Sequence, residues 1–220
     1  MFSAKTVAFL RSLKRNNDRD WFREHKAEYE QHVMAPMVAL LARLDEDFRA
    51  FAPELIAHPK VSLFRIYRDT RFSANKAPLK TQMGASFPHR DLQKRGAGLY
   101  LEIGPDRVFM GGGLYMPEPS DLHAIREHIA EHHARLRKII GGSAFRAAVG
   151  TMQGQQLQRV PRAFLPDHPA ADLLKFKQFL GAVEHPASFA CDAGFYPELL
   201  KVLKAVAPLV RLLNEPLIGG

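Results

Sequence analysis

GLYLEIGPDRVFM, residues 98–110, reads as two strands and the turn that joins them. Leu99, Leu101 and Ile103 alternate with Gly98, Tyr100 and Glu102, the two-residue period of a strand with one buried face. Gly104-Pro105-Asp106 is turn chemistry, and 107–110 pairs back as a hairpin. This hairpin decides the fold class, because the segments at either end of the chain are helical. Ser3 caps a helix ending near Arg15, with Phe9, Leu10 and Leu13 on one face. Asp18 caps a second helix that starts near Arg19 and that Pro36 kinks or splits; the apolar pattern resumes over 37–51. Beyond the hairpin, Pro119-Ser120-Asp121 opens a long helix to Ile140, stopped by Gly141-Gly142. A last helix covers 196–213, with Pro208 inside it. Further strands are expected at 61–67, 82–87 and 179–183, with a loop at 73–80. Helices, then strands, then helices give an α+β fold: N-terminal helices, a central antiparallel or mixed sheet, and C-terminal helices packed on it. The whole chain, 1–220, is expected as one domain.

Composition limits the function classes. Apolar residues are 46% of the chain, enough for a core, and no apolar run approaches the roughly 18 residues of a membrane span. The N-terminus is basic and free of acids up to Asp18, which reads as an amphipathic first helix rather than a transit peptide. One cysteine, Cys191, rules out a disulfide within the chain and suits a reducing cytoplasm. The expectation is a cytoplasmic protein without a membrane partner.

Charge is the informative feature. Residues 55–100 hold nine Lys/Arg and two acids, a surplus that accounts for seven of the net +8. Such a field attracts phosphates, nucleic acid or acidic ligands. Its densest part is FRIYRDTRFSANKAPLK, residues 64–80. Arg65, Arg68, Arg71, Lys76 and Lys80 are candidate ligand-binding residues, since a guanidinium donates two parallel hydrogen bonds to one oxyanion. Asp69 is the candidate catalytic residue, as a base or as an orienting group for an arginine. The competing reading is a charge network in which these arginines pair with Glu24, Glu28 or Glu102 and tie helix to sheet. Phe64, Tyr67, Phe72, Phe87 and Tyr100 interleave with the cations in the manner of a base-stacking surface, but they are expected in the core, which explains them more simply.

The motif Arg65, Arg68, Asp69, Arg71, Phe72, Lys76 resembles the signature of an uncharacterised bacterial family, domain of unknown function 2461, with Leu79 standing where the signature has tyrosine. Asn16-Asn17-Asp18-Arg19-Asp20-Trp21-Phe22 resembles that family's opening, so the resemblance extends over nearly the whole chain. It implies a fold-sized unit and no established activity or cofactor.

Other constellations are weaker. His128-Ile-Ala-Glu131-His132 fits H-x-x-E-H, with two histidines at zinc-ligand spacing, Glu131 as base, and Glu184 or Glu198 as third ligand. A partly exposed histidine-rich helix face explains it more simply. Gly111-Gly112-Gly113 lacks the lysine and hydroxyl of a phosphate loop and is expected as a turn or bulge. Cys191 has no activating partner in sequence, and Trp21 is expected in the core, with Asn17 and Arg19 as possible pocket neighbours. Three functions follow: a binder or enzyme for a phosphate-bearing ligand, a zinc-dependent hydrolase, or a non-catalytic domain that docks nucleic acid or an acidic protein.

Overall fold

A proline shapes the N-terminal helices. In the computed structural model, which describes residues 2–71, 73–92 and 95–218, they are α1 (Ala4–Arg15), α2 (Arg19–Glu24), α3 (Lys26–Tyr29) and α4 (Ala35–Phe51). Between α3 and α4 lies one π turn, Glu30–Met34, in which the Ala35 N–H reaches back to the Glu30 carbonyl. Pro36 has no N–H to give the carbonyl four residues earlier, that of His32. Thr6, fully buried on α1, fills the vacancy: its hydroxyl donates to the His32 carbonyl at 2.7 Å and accepts the Ser3 N–H at 3.1 Å. Pro36 therefore neither breaks nor ends the helix; a widened turn absorbs it. Asp18 caps α2 as its sequence predicts, accepting from the N–H groups of Asp20 and Trp21.

The strand expected at 61–67 is replaced by two pieces. Pro59 at a helix start and the His58 imidazole, which accepts the Lys60 N–H, wind Pro59–Ser62 into a turn of helix, α5. Residues 63–68 then run antiparallel to 78–85, touching at isolated bridges Leu63–Ala85 and Tyr67–Leu79. Local turn chemistry has overridden β-branched propensity here.

The sheet holds β1 (Met83–Pro88), β2 (Gly98–Ile103), β3 (Arg107–Leu114) and β4 (Phe179–Pro186), antiparallel and in chain order. The β2–β3 hairpin forms where the alternation predicts it, closed by the Gly104 N–H on the Arg107 carbonyl at 2.8 Å. Gly111-Gly112-Gly113 lies within strand β3 rather than in a turn, with Gly113 at a positive φ of 126°. A Cβ at Gly112 would lie 2.6 Å from the Gly98 carbonyl, and one at Gly111 or Gly113 would strike the β4 backbone. The run is there because neighbouring strands approach too closely for side chains. Between β3 and β4 come α6 (Pro119–Gly141), α7 (Ser143–Val149) and α8 (Ala171–Leu174); α9 (Phe195–Asn214) closes the chain, with Pro208 inside it. With helices at both ends and a central sheet, the fold is α+β.

The chain divides into two compact units. Unit 1 comprises Met1–Phe87, Tyr100–Phe109 and Glu184–Glu198; unit 2 comprises Pro88–Leu99, Met110–Val183 and Leu199–Gly220. Unit 1 is centred on Leu10, Leu13, Met37, Leu41 and Phe48, all at most 2% exposed. In unit 2, Ile125, Ile129 and Leu136 form the buried stripe of α6, and α9 contributes Leu199, Val202, Leu203 and Val206. Asp121 does more than open α6. It is 3% exposed and holds Arg95 at 2.5 and 3.1 Å. Among the described residues no helix is long and apolar enough to cross a membrane.

Candidate functional site

The cations of 55–100 are divided between the two units. Lys60, Arg65, Arg68, Arg71, Lys76 and Lys80 belong to unit 1, whereas Arg90 and Arg95 belong to unit 2. Phe72 and Lys94 lie outside the described residues. In unit 1 the carrier is the irregular ribbon of residues 63–85, with the loop 69–77 at its tip. Main-chain bonds set its register: Phe64 N–H to Gly84 at 3.1 Å, Lys80 N–H to Ile66 at 2.8 Å and Arg68 N–H to Pro78 at 2.9 Å. Ile66 and Leu79 face inward, 8% and 1% exposed. Leu79, where the family signature has tyrosine, is thus a core residue. Asn17 clamps it from outside: the amide donates to the Leu79 carbonyl and accepts the Leu79 N–H, both at 3.0 Å.

Three of the predicted ligand-binding cations are engaged within the loop. Arg68 is half-buried and donates to the Ala77 carbonyl and the Ser73 hydroxyl, both at 3.3 Å. Arg71 grips Asp69 with two bonds, at 2.7 and 3.1 Å. Lys76 donates to the Thr70 carbonyl at 3.1 Å. Asp69 also accepts the Arg71 N–H, an Asx turn, and the hydrogen bonds from Arg71 hold its carboxyl below the usual aspartate range. A carboxylate so stabilised is a weaker proton acceptor and a better loop staple.

Arg65 and Lys80 are different. Arg65 is exposed, and among the described residues neither has a carboxylate within ion-pair distance. Glu102, one of the acids expected to neutralise the arginines, instead accepts from Tyr100 at 3.0 Å and faces Arg107 at 3.6 Å. The Lys80 ammonium sits 4.6 Å above the Phe64 ring. Burial lowers its pKa, and the charge of Arg65 lowers it further.

Two aromatics expected in the core are not there: Phe64 is 40% exposed and Tyr67 48%, while Phe87 is fully buried. Gly84 explains Phe64. A Cβ on that residue would come within 3.0 Å of the Phe64 ring and of the Tyr100 hydroxyl, so its absence lets the ring lie flat on β1. Phe109 completes this face and was missing from the predicted set. Tyr100, Glu102, Arg107 and Phe109 share one side of the β2–β3 hairpin, a placement that the two-residue alternation does contain.

Trp21, expected in the core, is half-buried and stacks on His25 at 4.2 Å and 15°. With Lys5, Asn16, Glu28 and His32 it lines a groove of about 580 Å³ in unit 1. The His25 Nδ1 lies 2.8 Å from the Trp21 carbonyl; as a carbonyl only accepts, Nδ1 is the donor.

The helical histidines of unit 2 lie in an ion-pair cluster. His128 is 2.9 Å from Glu215, which also takes two bonds from Arg135, at 2.6 and 2.8 Å. His128 and His132 rings are 4.5 Å apart, and the Glu131 side chain is 76% exposed. Glu184, proposed as a third metal ligand, is held by Arg107 at 2.6 Å. Among the described residues no set of three or more His, Cys, Asp or Glu side chains gathers as metal ligands do.

Fold and site together define an α+β protein with an open, cation-bearing β-ribbon. The chain belongs to the family described as conserved hypothetical protein (DUF2461), whose model matches residues 5–212. This is the family that the sequence resembles, and the match covers nearly the whole chain. No match is found among curated proteins or among solved structures.

Proposed function

We propose that the protein binds a phosphate-bearing anion on the ribbon face of unit 1. Lys80 and Arg65 are the contacting cations; Arg68, Arg71, Lys76 and Asp69 fix the loop beside them. One observation carries this reading: the Lys80 N–H on the Ile66 carbonyl sets Lys80 across the ribbon beside Arg65, two like charges that repel, and among the described residues neither has an acid within ion-pair distance. An oxyanion placed between them relieves that repulsion and gains charge-assisted hydrogen bonds. No turnover is required of such a site. If phosphoryl chemistry occurs there, the two cations stabilise the developing charge and Asp69 acts through Arg71. The exposed free thiol of Cys191 fits a reducing compartment, and we assign the protein to the cytoplasm on that ground.

Calorimetric titration with pyrophosphate at low salt tests the reading. Lys80→Gln and Arg65→Gln should each weaken binding by about tenfold, the worth of one charge-assisted bond, with the melting temperature unchanged. Arg68→Gln should lower the melting temperature as well. Wild-type affinity in both Lys80→Gln and Arg65→Gln would overturn the proposal.

A further inference from the structure

We infer that the anion taken by this face is a single-stranded nucleic acid, with a base stacked on Phe64 and phosphates lying toward Lys80 and Arg65. The inference rests on the anion-binding reading above and adds what the uncharged part of the ligand does.

Three rings form a row of contacts in unit 1. Phe64 and Tyr100 have centroids 6.2 Å apart and planes tilted by 50°; Tyr100 and Phe109 are 5.9 Å apart at 62°. Tyr100 and Phe109 are half-buried, so the exposed Phe64 is the ring that offers a face to a base. A cation sits at each end of the row: Lys80 at 4.6 Å from the Phe64 centroid and Arg107 at 5.7 Å from that of Phe109. The ends are not equivalent. Arg107 is tied to Glu184 at 2.6 Å and faces Glu102 at 3.6 Å, so its charge is answered by two carboxylates. Lys80 has no such partner among the described residues, and its four-carbon stem lets the ammonium leave the ring and follow a phosphate while a base takes its place. Phosphates therefore belong at the Lys80 end, and the acids at the Arg107 end limit the footprint to two or three nucleotides. The Tyr100 hydroxyl already donates to Glu102, so its proton is not offered to a base edge. Nothing in this set reads base edges, which makes the binding tolerant of sequence.

Openness favours a polymer over a small molecule. Phe64 and Tyr67, on the ribbon, are 40% and 48% exposed, and Val61, in α5 just before it, is 39% exposed. Small-ligand sites bury about 70–90% of their ligand, which an open face cannot do; a strand gains its affinity by adding contacts along its length.

The test is anisotropy of a fluorescein-labelled, mixed-sequence DNA dodecamer titrated with the full chain at low salt. An abasic dodecamer carrying the same phosphates serves as competitor. The intact strand should bind about tenfold tighter than the abasic one, the effect of a single stacked base. With two phosphates held, the log–log salt slope should be about −1.4. Phe64→Leu keeps an apolar cover on Gly84 but removes the ring; it should bring the intact strand down to the abasic affinity and leave pyrophosphate binding unchanged. Phe64→Met, which covers Gly84 more fully, is the second variant, to be used if Phe64→Leu melts early, and should have the same effect. Equal affinity for intact and abasic strands would overturn the stacking inference and leave the anion reading in place. Failure of both strands to bind, with pyrophosphate still bound, would also overturn the inference. Failure of all three would remove both.

Discussion

Two asparagines make the same pair of bonds in the two units. In unit 2, Asn214 at the end of α9 accepts the Ala97 N–H at 2.7 Å and donates to the Ala97 carbonyl at 3.0 Å. In unit 1, Asn17 does the same for Leu79, both bonds at 3.0 Å. The surroundings differ. Asn214 is 1% exposed, and Ala97 leads directly into β2. Asn17 is only half-buried, and Leu79 lies in a ribbon that pairs through isolated bridges. One amide reinforces a segment that the sheet already holds; the other is among the few things holding a segment at all. Beside its few main-chain bonds, the ribbon is secured by single side chains, Asn17 at Leu79 and Arg68 and Lys76 at the tip. Such a segment is expected to open at lower free energy than the sheet.

The comparison can be broken by experiment, starting with its buried half. Asn214→Ala leaves an N–H and a carbonyl of Ala97 without partners in a dry site and should cost about 2–4 kcal/mol in urea unfolding. Asn17→Ala should cost less, about 1–2 kcal/mol, because water reaches the freed groups of Leu79. It should also raise amide exchange at Leu79 and Lys80 well before global unfolding. Equal costs for the two variants would show that the ribbon is as dry and as tightly held as the unit 2 core. The smallest effect concerns charge. Hydrogen bonds from Arg135, then the nearby His128, hold the Glu215 carboxyl below the usual glutamate range. A depressed folded pKa means that the stabilisation is full above the ordinary glutamate range and is lost as pH falls through the folded value. Because Glu215 is partly exposed, the contribution should be about 0.5 kcal/mol. Thermal melts of wild type and Glu215→Gln should differ slightly at neutral pH and converge in acid.

Much of the fold was legible because it rests on local chemistry that the sequence displays. The alternation of 98–103, the turn at 104–106 and the cap at Asp18 appear where they were read. The strand at 61–67 was misread because Pro59 and the His58 imidazole are stronger local signals than Val61. The glycine run at 111–113 was misread because its cause is a neighbouring strand, which sequence does not reveal. At the site, the abundance of cations was legible and their partners were not. Arg68 and Lys76 end on the backbone carbonyls of Ala77 and Thr70, and a carbonyl is present at every residue. Only Asp69, partner of Arg71, carried a signal of its own. Phe64 was assigned to the core because its exposure depends on Gly84, twenty residues away.

The π turn at Glu30–Met34 gives the N-terminal helices a fixed reading frame. Tyr29, Val33, Met37 and Leu41 are all buried and recur every four residues. In an α-helix each step of four overshoots the turn by about 40°, so the stripe would drift away from the core. The widened turn takes up part of that overshoot. Deleting any one residue of 30–34 and winding the remainder as α-helix would set Met37 seven residues from Tyr29, about 20° short of two full turns. Met37, Leu41, Leu44 and Phe48 would still face the interior they fill. This stretch therefore carries one residue more than its register needs, and the widened turn is where that residue is stored.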